Sequence, residues 1–74
     1  MIVNKLSELM GRKRLKVADV VRMTGLARNT VADLYYGRSS QANFETLNRL
    51  CTALECNLED ILEYVPDDEQ EPRE

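Results

Sequence analysis

Residues 17–36 read VADVVRMTGLARNTVADLYY, and this stretch decides the fold. It divides into two short helices around Thr24-Gly25-Leu26. Val20, Val21 and Met23 are apolar before the break; Val31 and Leu34, three apart, are apolar after it and share one face of a second helix. Gly25 stands where the chain must turn, and glycine reaches positive φ at no steric cost. Between the apolar positions of the second helix lie Arg28, Asn29, Thr30 and Asp33, all hydrogen-bonding groups directed outward. A helix held by its back, with short polar groups at its exposed N-terminal end, has the shape that fits a DNA major groove.

Upstream, Met1 to Val3 are apolar and expected to pack on the body. Asn4 is a candidate N-cap for a first helix. Leu6, Leu9, Met10 and the stem of Lys13 form an i, i+3, i+4, i+7 stripe. Arg12-Lys13-Arg14 closes that helix, where positive charge suits the helix dipole. The same cluster is a candidate phosphate clamp. Leu15-Lys16 leads into the next helix, expected from Val17 to Thr24, with Ala18, Val20, Val21 and Met23 crowding one side.

Downstream, the third helix begins near Ala27 or Arg28 and ends before Gly37, which fits the position after a helix end. Arg28 can give two donors to guanine O6 and N7, and Asn29 can pair with adenine N6 and N7. Thr30 offers a hydroxyl to phosphate and a methyl to thymine. Asp33 can accept from cytosine N4, or instead order a nearby arginine or asparagine. Of Tyr35 and Tyr36, one is expected on the core edge and one with its hydroxyl toward a phosphate. Gly37 to Ala42 reads as a polar loop in which Arg38 and Ser39 are placed for backbone phosphates. Asn43 caps a fourth helix whose core face is Phe44, Leu47, Leu50, Cys51 and Leu54. Asn57 caps a fifth, with Asp60 in its first turn and Leu58, Ile61, Leu62 and Val65 as its apolar face. Pro66 ends it. Residues 1–66 thus read as one domain and residues 67–74 as an acidic tail, expected to be disordered because it has too little apolar content to be buried.

Charge is unevenly spread. Residues 1–54 carry nine Lys or Arg against Glu8, Asp19, Asp33 and Glu45, a balance of +5. Residues 55–74 carry nine carboxylates against Arg73, a balance of −8. Attraction to phosphate depends on local charge, because fields are largely screened beyond about 8 Å at physiological salt. The net charge of −3 therefore does not argue against DNA. With 74 residues the chain has room for one domain, burying about 60% of its unfolded surface. No apolar run reaches the roughly 20 residues of a membrane span. There is no signal-like start, and two cysteines without one point to a reducing cytoplasm.

The spacing of Val20, Thr24-Gly25-Leu26, Arg28, Thr30-Val31, Leu34 and Gly37 resembles the helix-turn-helix of the Cro/C1-type (XRE-like) repressors of bacteria and phages. The resemblance continues through Phe44-Glu45-Thr46-Leu47, Leu50, Ala53-Leu54 and Asn57 to Leu62, covering residues 4–65. It implies a compact all-α, five-helix, lambda-repressor-like domain with the second and third helices as the helix-turn-helix. It also implies a sequence-specific regulator of transcription, a repressor, working on double-stranded DNA without a cofactor. Base edges would be met by Arg28, Asn29, Thr30 and Asp33. Phosphates would be held by Lys16, Tyr36, Arg38, Ser39, Arg12 and Arg14. Val17 stands where the family often has a phosphate-gripping glutamine, so Lys16 is expected to supply that charge. Val21 replaces a usual alanine, which implies wider helix packing. Such repressors commonly form homodimers, and Ile61, Tyr64 and Val65 are the apolar hint of one here.

Other chemistry finds no residues. The chain has no histidine, the commonest general base. Cys51 and Cys56 are two ligands where a structural zinc site needs about four. Cys51 reads as a small core hydrophobe and Cys56 leaves a redox role open. Glu59 and Asp60 are adjacent on a helix and so diverge. No glycine-rich phosphate loop is present. These features speak against an enzyme. The rival reading keeps the fold and changes the job: a protein-interaction module, such as an antitoxin whose acidic C-terminal segment meets a basic partner.

Overall fold

The computed structural model describes residues 1–39 and 41–66; the acidic tail expected at 67–74 lies outside them. The order of elements is β1 (Ile2–Asn4), α1 (Leu6–Lys13), α2 (Val17–Thr24), α3 (Arg28–Tyr35), α4 (Phe44–Leu54), α5 (Leu58–Ile61) and β2 (Leu62–Tyr64). Five helices were expected and are present. The expectation of an all-α domain is corrected by a two-stranded antiparallel sheet, in which Ile2 faces Tyr64, Val3 faces Glu63 and Asn4 faces Leu62.

The correction has a physical cause. The fifth helix was expected to run to Val65, but it stops after one turn at Ile61, and Leu62 is extended at φ −126°, ψ 148°. Ile2, Val3, Tyr64 and Val65 are β-branched or aromatic, types that fit a pleated surface. Pro66 further biases Val65 away from helix. A two-stranded ribbon is marginal alone. Here the N–H of Lys5 donates to Ile61 O at 2.6 Å and that of Val65 to Met1 O at 2.8 Å. The Met1 amino group also donates to Val65 O, and Lys5 pairs with Glu63 at 3.8 Å.

The core is Leu6, Leu9, Met10, Val20, Val31, Leu50, Leu54 and Ile61. Full burial of such a side chain contributes about 1.5–3 kcal/mol. The stripe Leu6, Leu9, Met10 is buried as expected, whereas Lys13 is exposed. Asn4 does not occupy the cap position of α1, which is Lys5. Its Oδ1 nevertheless accepts from Leu6 N at 2.9 Å. The faces of α2 and α4 are rotated from expectation. In α2, Val20 and Thr24 are buried and Met23 is exposed. Thr24 is tolerated there because its hydroxyl donates to Val20 O at 2.7 Å and accepts from Leu26 N at 3.1 Å. In α4, Thr46, Leu50 and Leu54 are buried at a four-residue repeat, while Phe44, expected in the core, is 88% exposed. Phe44 is the first residue of its helix, and helical side chains lean toward the N-terminus, which carries this one past the core. Asn43 caps α4 as expected, its Oδ1 accepting from Thr46 N at 2.7 Å.

Candidate nucleic-acid interface

The helix pair that carries the site is fixed at its turn. The end of α2 is Gly25 at φ 76°, with its N–H donated to Val21 O at 2.9 Å. A Cβ at Gly25 would meet the Arg49 guanidinium at 3.4 Å, so a side chain here is opposed mainly by the backbone conformation. Arg49 reaches that point from α4. It donates to Thr24 O at 3.4 Å while its Nε pairs with Glu45 at 3.1 Å. Sequence reasoning missed this brace, although the i, i+4 spacing of Glu45 and Arg49 was a readable signal.

The starts of the two helices differ. At α2, the Asp19 carboxylate accepts from Lys16 N at 2.9 Å and pairs with Arg22 at 2.9 Å. The Lys16 backbone N–H holds the Asp19 carboxyl below its ordinary value, and Arg22 adds to the effect. At α3, Ala27 stands in the cap position and no side chain caps the first turn. Its N–H groups thus carry the positive end of the helix dipole uncovered.

Around this start the expected base-reading residues take different positions. Arg28 and Asn29 are exposed, and among the described residues their side chains have no hydrogen-bond or ion-pair partner. Val31, two residues after Asn29 and so on the other side of the helix from it, is fully buried and pins the helix. Asn29 and Asp33 lie one turn apart on the solvent side. Thr30 and Asp33 are half-buried and line a cleft of about 270 Å³ with Leu34, Ser39, Gln41, Ala42, Asn43 and Thr46.

The other end of α3 is a closed network. Gly37 at φ 73° turns the chain back, and the N–H groups of Arg38 and Ser39 both donate to Asp33 O, at 2.8 and 3.3 Å. The Asp33 carboxylate holds Arg38 at 3.1 Å, and the guanidinium sits 4.9 Å over the Tyr36 ring. Tyr35 packs on the core and meets Tyr36 edge-on at 4.9 Å. Tyr36 is 63% exposed. The Ser39 hydroxyl donates to Gln41 O at 2.6 Å. A second tie was invisible in the sequence: Asn4 Nδ2 donates to Leu34 O at 2.8 Å, across 30 residues.

Tyr36, Arg38, Ser39 and Asp33 are therefore brought together, and Arg28, Asn29 and Thr30 stand beside one another at the start of the helix. Lys16 is exposed at the start of α2. Arg12 shares a depression with Leu9, Lys13, Glu55, Cys56 and Asp60, and Arg14 ends α1 in a left-handed conformation at φ 58°. Both are exposed. Among the described residues, no cluster of three or more His, Cys, Asp or Glu is placed to hold a metal, and no helix is long and apolar enough to cross a membrane.

Comparison with known proteins gives the family of the chain. The family model for the Cro/C1-type HTH DNA-binding domain matches residues 5–67. The chain is 26% identical over 68 residues to YozG of Bacillus subtilis strain 168, described as an uncharacterized HTH-type transcriptional regulator, covering 92% of this chain and 81% of that protein.

Proposed function

The chain belongs to the Cro/C1-type helix-turn-helix DNA-binding family, and from that premise we propose that it is a transcriptional repressor that reads double-stranded DNA by sequence. Helix α3 enters the major groove. Its eight residues span about 12 Å, comparable to the groove's width. Arg28, Asn29 and Thr30 meet base edges. Asp33 acts first on Arg38, and reaches a cytosine only by leaving that pair. Lys16, Tyr36, Arg38 and Ser39 hold phosphates, and Arg12 and Arg14 extend the contact along the backbone. The observation that carries this reading is that Arg28 and Asn29 are exposed and unpaired among the described residues, on a helix whose Val31 is fully buried. A reader of DNA with two free thiols works in a reducing cytoplasm.

The protein works as a homodimer. Tyr64 and Ile2, facing each other on the sheet, are 67% and 62% exposed and offer the apolar contact. Ile61, expected in that role, is buried at 2% exposure and Val65 is half-buried, so the strands take its place. Selection of bound sites from a random duplex pool tests the whole reading. The expected result is a motif with two half-sites about 34 Å apart, one helical turn. Enrichment of no motif would overturn it.

A second reading is favoured by the −8 balance of residues 55–74. In it the chain is an antitoxin-type or other protein-interaction module whose acidic segment meets a basic partner. Recovery of a symmetric motif from the pool, with full affinity in the absence of other proteins, would dismiss it.

A further inference from the structure

Two helices of this chain end in the same way. After α1 the chain passes through Arg14 at φ 58°, and Leu15 N donates to Met10 O at 2.9 Å. After α4 it passes through Glu55 at φ 52°, and Cys56 N donates to Cys51 O at 3.1 Å. This six-to-one closure commonly sets the side chains of its two bonded residues against each other. After α1 those residues are buried Met10 and half-buried Leu15, an ordinary apolar pair. After α4 they are both cysteines of the chain, half-buried against the core and both free.

The bond lengths on either side of an N···O contact of 3.1 Å keep the two Cα atoms within roughly 7 Å. A disulfide spans Cα separations of about 4.4–6.8 Å. We propose that Cys51 and Cys56 form a redox modification site, a dithiol that a peroxide closes into an intrachain disulfide across the end of α4. One thiol loses its proton and attacks a peroxide oxygen. The O–O bond breaks, hydroxide leaves and takes up the proton, and the sulfur becomes a sulfenic acid. The second thiolate attacks that sulfur, the S–O bond breaks, and the departing hydroxide takes the second proton. Two thiols are oxidised by two electrons, one hydrogen peroxide is reduced, and two waters form.

Both sulfurs are within reach of a small oxidant. Cys51 lines a shallow groove with Phe44, Leu47 and Leu58, and Cys56 lines the depression that holds Arg12, Lys13 and Asp60. Burial pushes the Cys56 thiol up, and the adjoining Cys51 thiol pushes the same way. Cys56 therefore gives up its proton reluctantly at neutral pH, and the site responds to an oxidant in excess rather than to a trace. Neither depression includes a residue of α3. The bond staples the turn that leads into α5 and lies apart from α3, bordering the proposed interface only at Arg12.

The test treats the full chain with hydrogen peroxide and follows intact mass, free thiols, melting and DNA affinity. The expected product is a monomer lighter by two hydrogens, with no titratable thiol and a Cys51–Cys56 cross-linked peptide, all reversed by dithiothreitol. Its melting temperature should rise by roughly 5–10 °C, while its affinity for duplex DNA stays within about twofold. Cys56→Ser should instead gain oxygen or form mixed dimers, with no rise in melting. An oxygen adduct, an interchain dimer or two persisting thiols in the unsubstituted chain would overturn the site. A closed disulfide that lowers melting, or costs more than tenfold in DNA affinity, would overturn the staple.

Discussion

The two ends of α3 are built on opposite plans. At its start Arg28 and Asn29 reach into solvent with no partner among the described residues, and no side chain caps the first turn. At its end Arg38 is held by Asp33 and Tyr36, and the backbone folds back onto the last turn. A free side chain must lose rotamer freedom on binding, roughly 2 kcal/mol for an arginine. In exchange it can choose among base edges. A side chain already fixed loses less and chooses nothing, which suits a phosphate that is the same at every step. On the proposed reading, one short helix separates selection from positioning, and it is anchored by the buried Val31.

The largest perturbation should erase this contrast by emptying part of the core that Val31 joins. Leu50→Ala empties a fully buried position and should cost about 2–5 kcal/mol of stability. Denaturant titration reads it, and both ends of α3 should fail together. Next comes Arg28→Ala, which should cost about 1–3 kcal/mol on the preferred duplex and little on others. A uniform loss across sequences, measured by titrating several duplexes, would make Arg28 a phosphate contact and put both ends on one plan. Asp33→Ala sharpens the contrast from the other side. Releasing Arg38 should weaken every sequence alike, by about 1 kcal/mol or less, and flatten the salt dependence by at most one unit. Relaxed preference at a single base pair would instead make Asp33 a reader.

The smallest effect concerns α2, whose start, unlike that of α3, is closed by its own carboxylate. Asp19 is held below its ordinary value of 3.8, first by the Lys16 N–H and then by Arg22. Its stabilising charge is therefore complete above that value and is lost as the pH falls through the depressed value of the folded chain. Asp19→Asn should melt slightly lower than the parent near neutrality, and the two should converge in strong acid. A gap that persists there would mean that the carboxylate does not hold this helix start.

Legibility in the sequence follows the range of the interaction. The limits of α2, the glycine at its end, the start of α3 and the Asn43 cap all arise within a few residues, so pattern and side-chain chemistry reached them. Asp33 allowed two readings, and its pairing with Arg38 depends on the turn at Gly37 bringing them together. The strands failed the same test: Ile2 meets Tyr64 across the length of the domain, and local periodicity in 58–65 looks equally helical. Phe44 was misplaced because spacing names a face without saying where on it the core ends. Asn4 reads as the cap of α1, a place that Lys5 takes, and its bond to Leu34 lies beyond the reach of local pattern.

The strand pairing also bears on the order in which the domain assembles. The contacts of α2 with α3 close over a few residues, whereas β1 and β2 must find each other over almost the whole domain. Long closures carry more chain entropy and form slowly. The contacts between α2 and α3 can therefore form before the two strands meet. In the finished molecule the same clasp should be among the earliest parts to exchange its amide hydrogens.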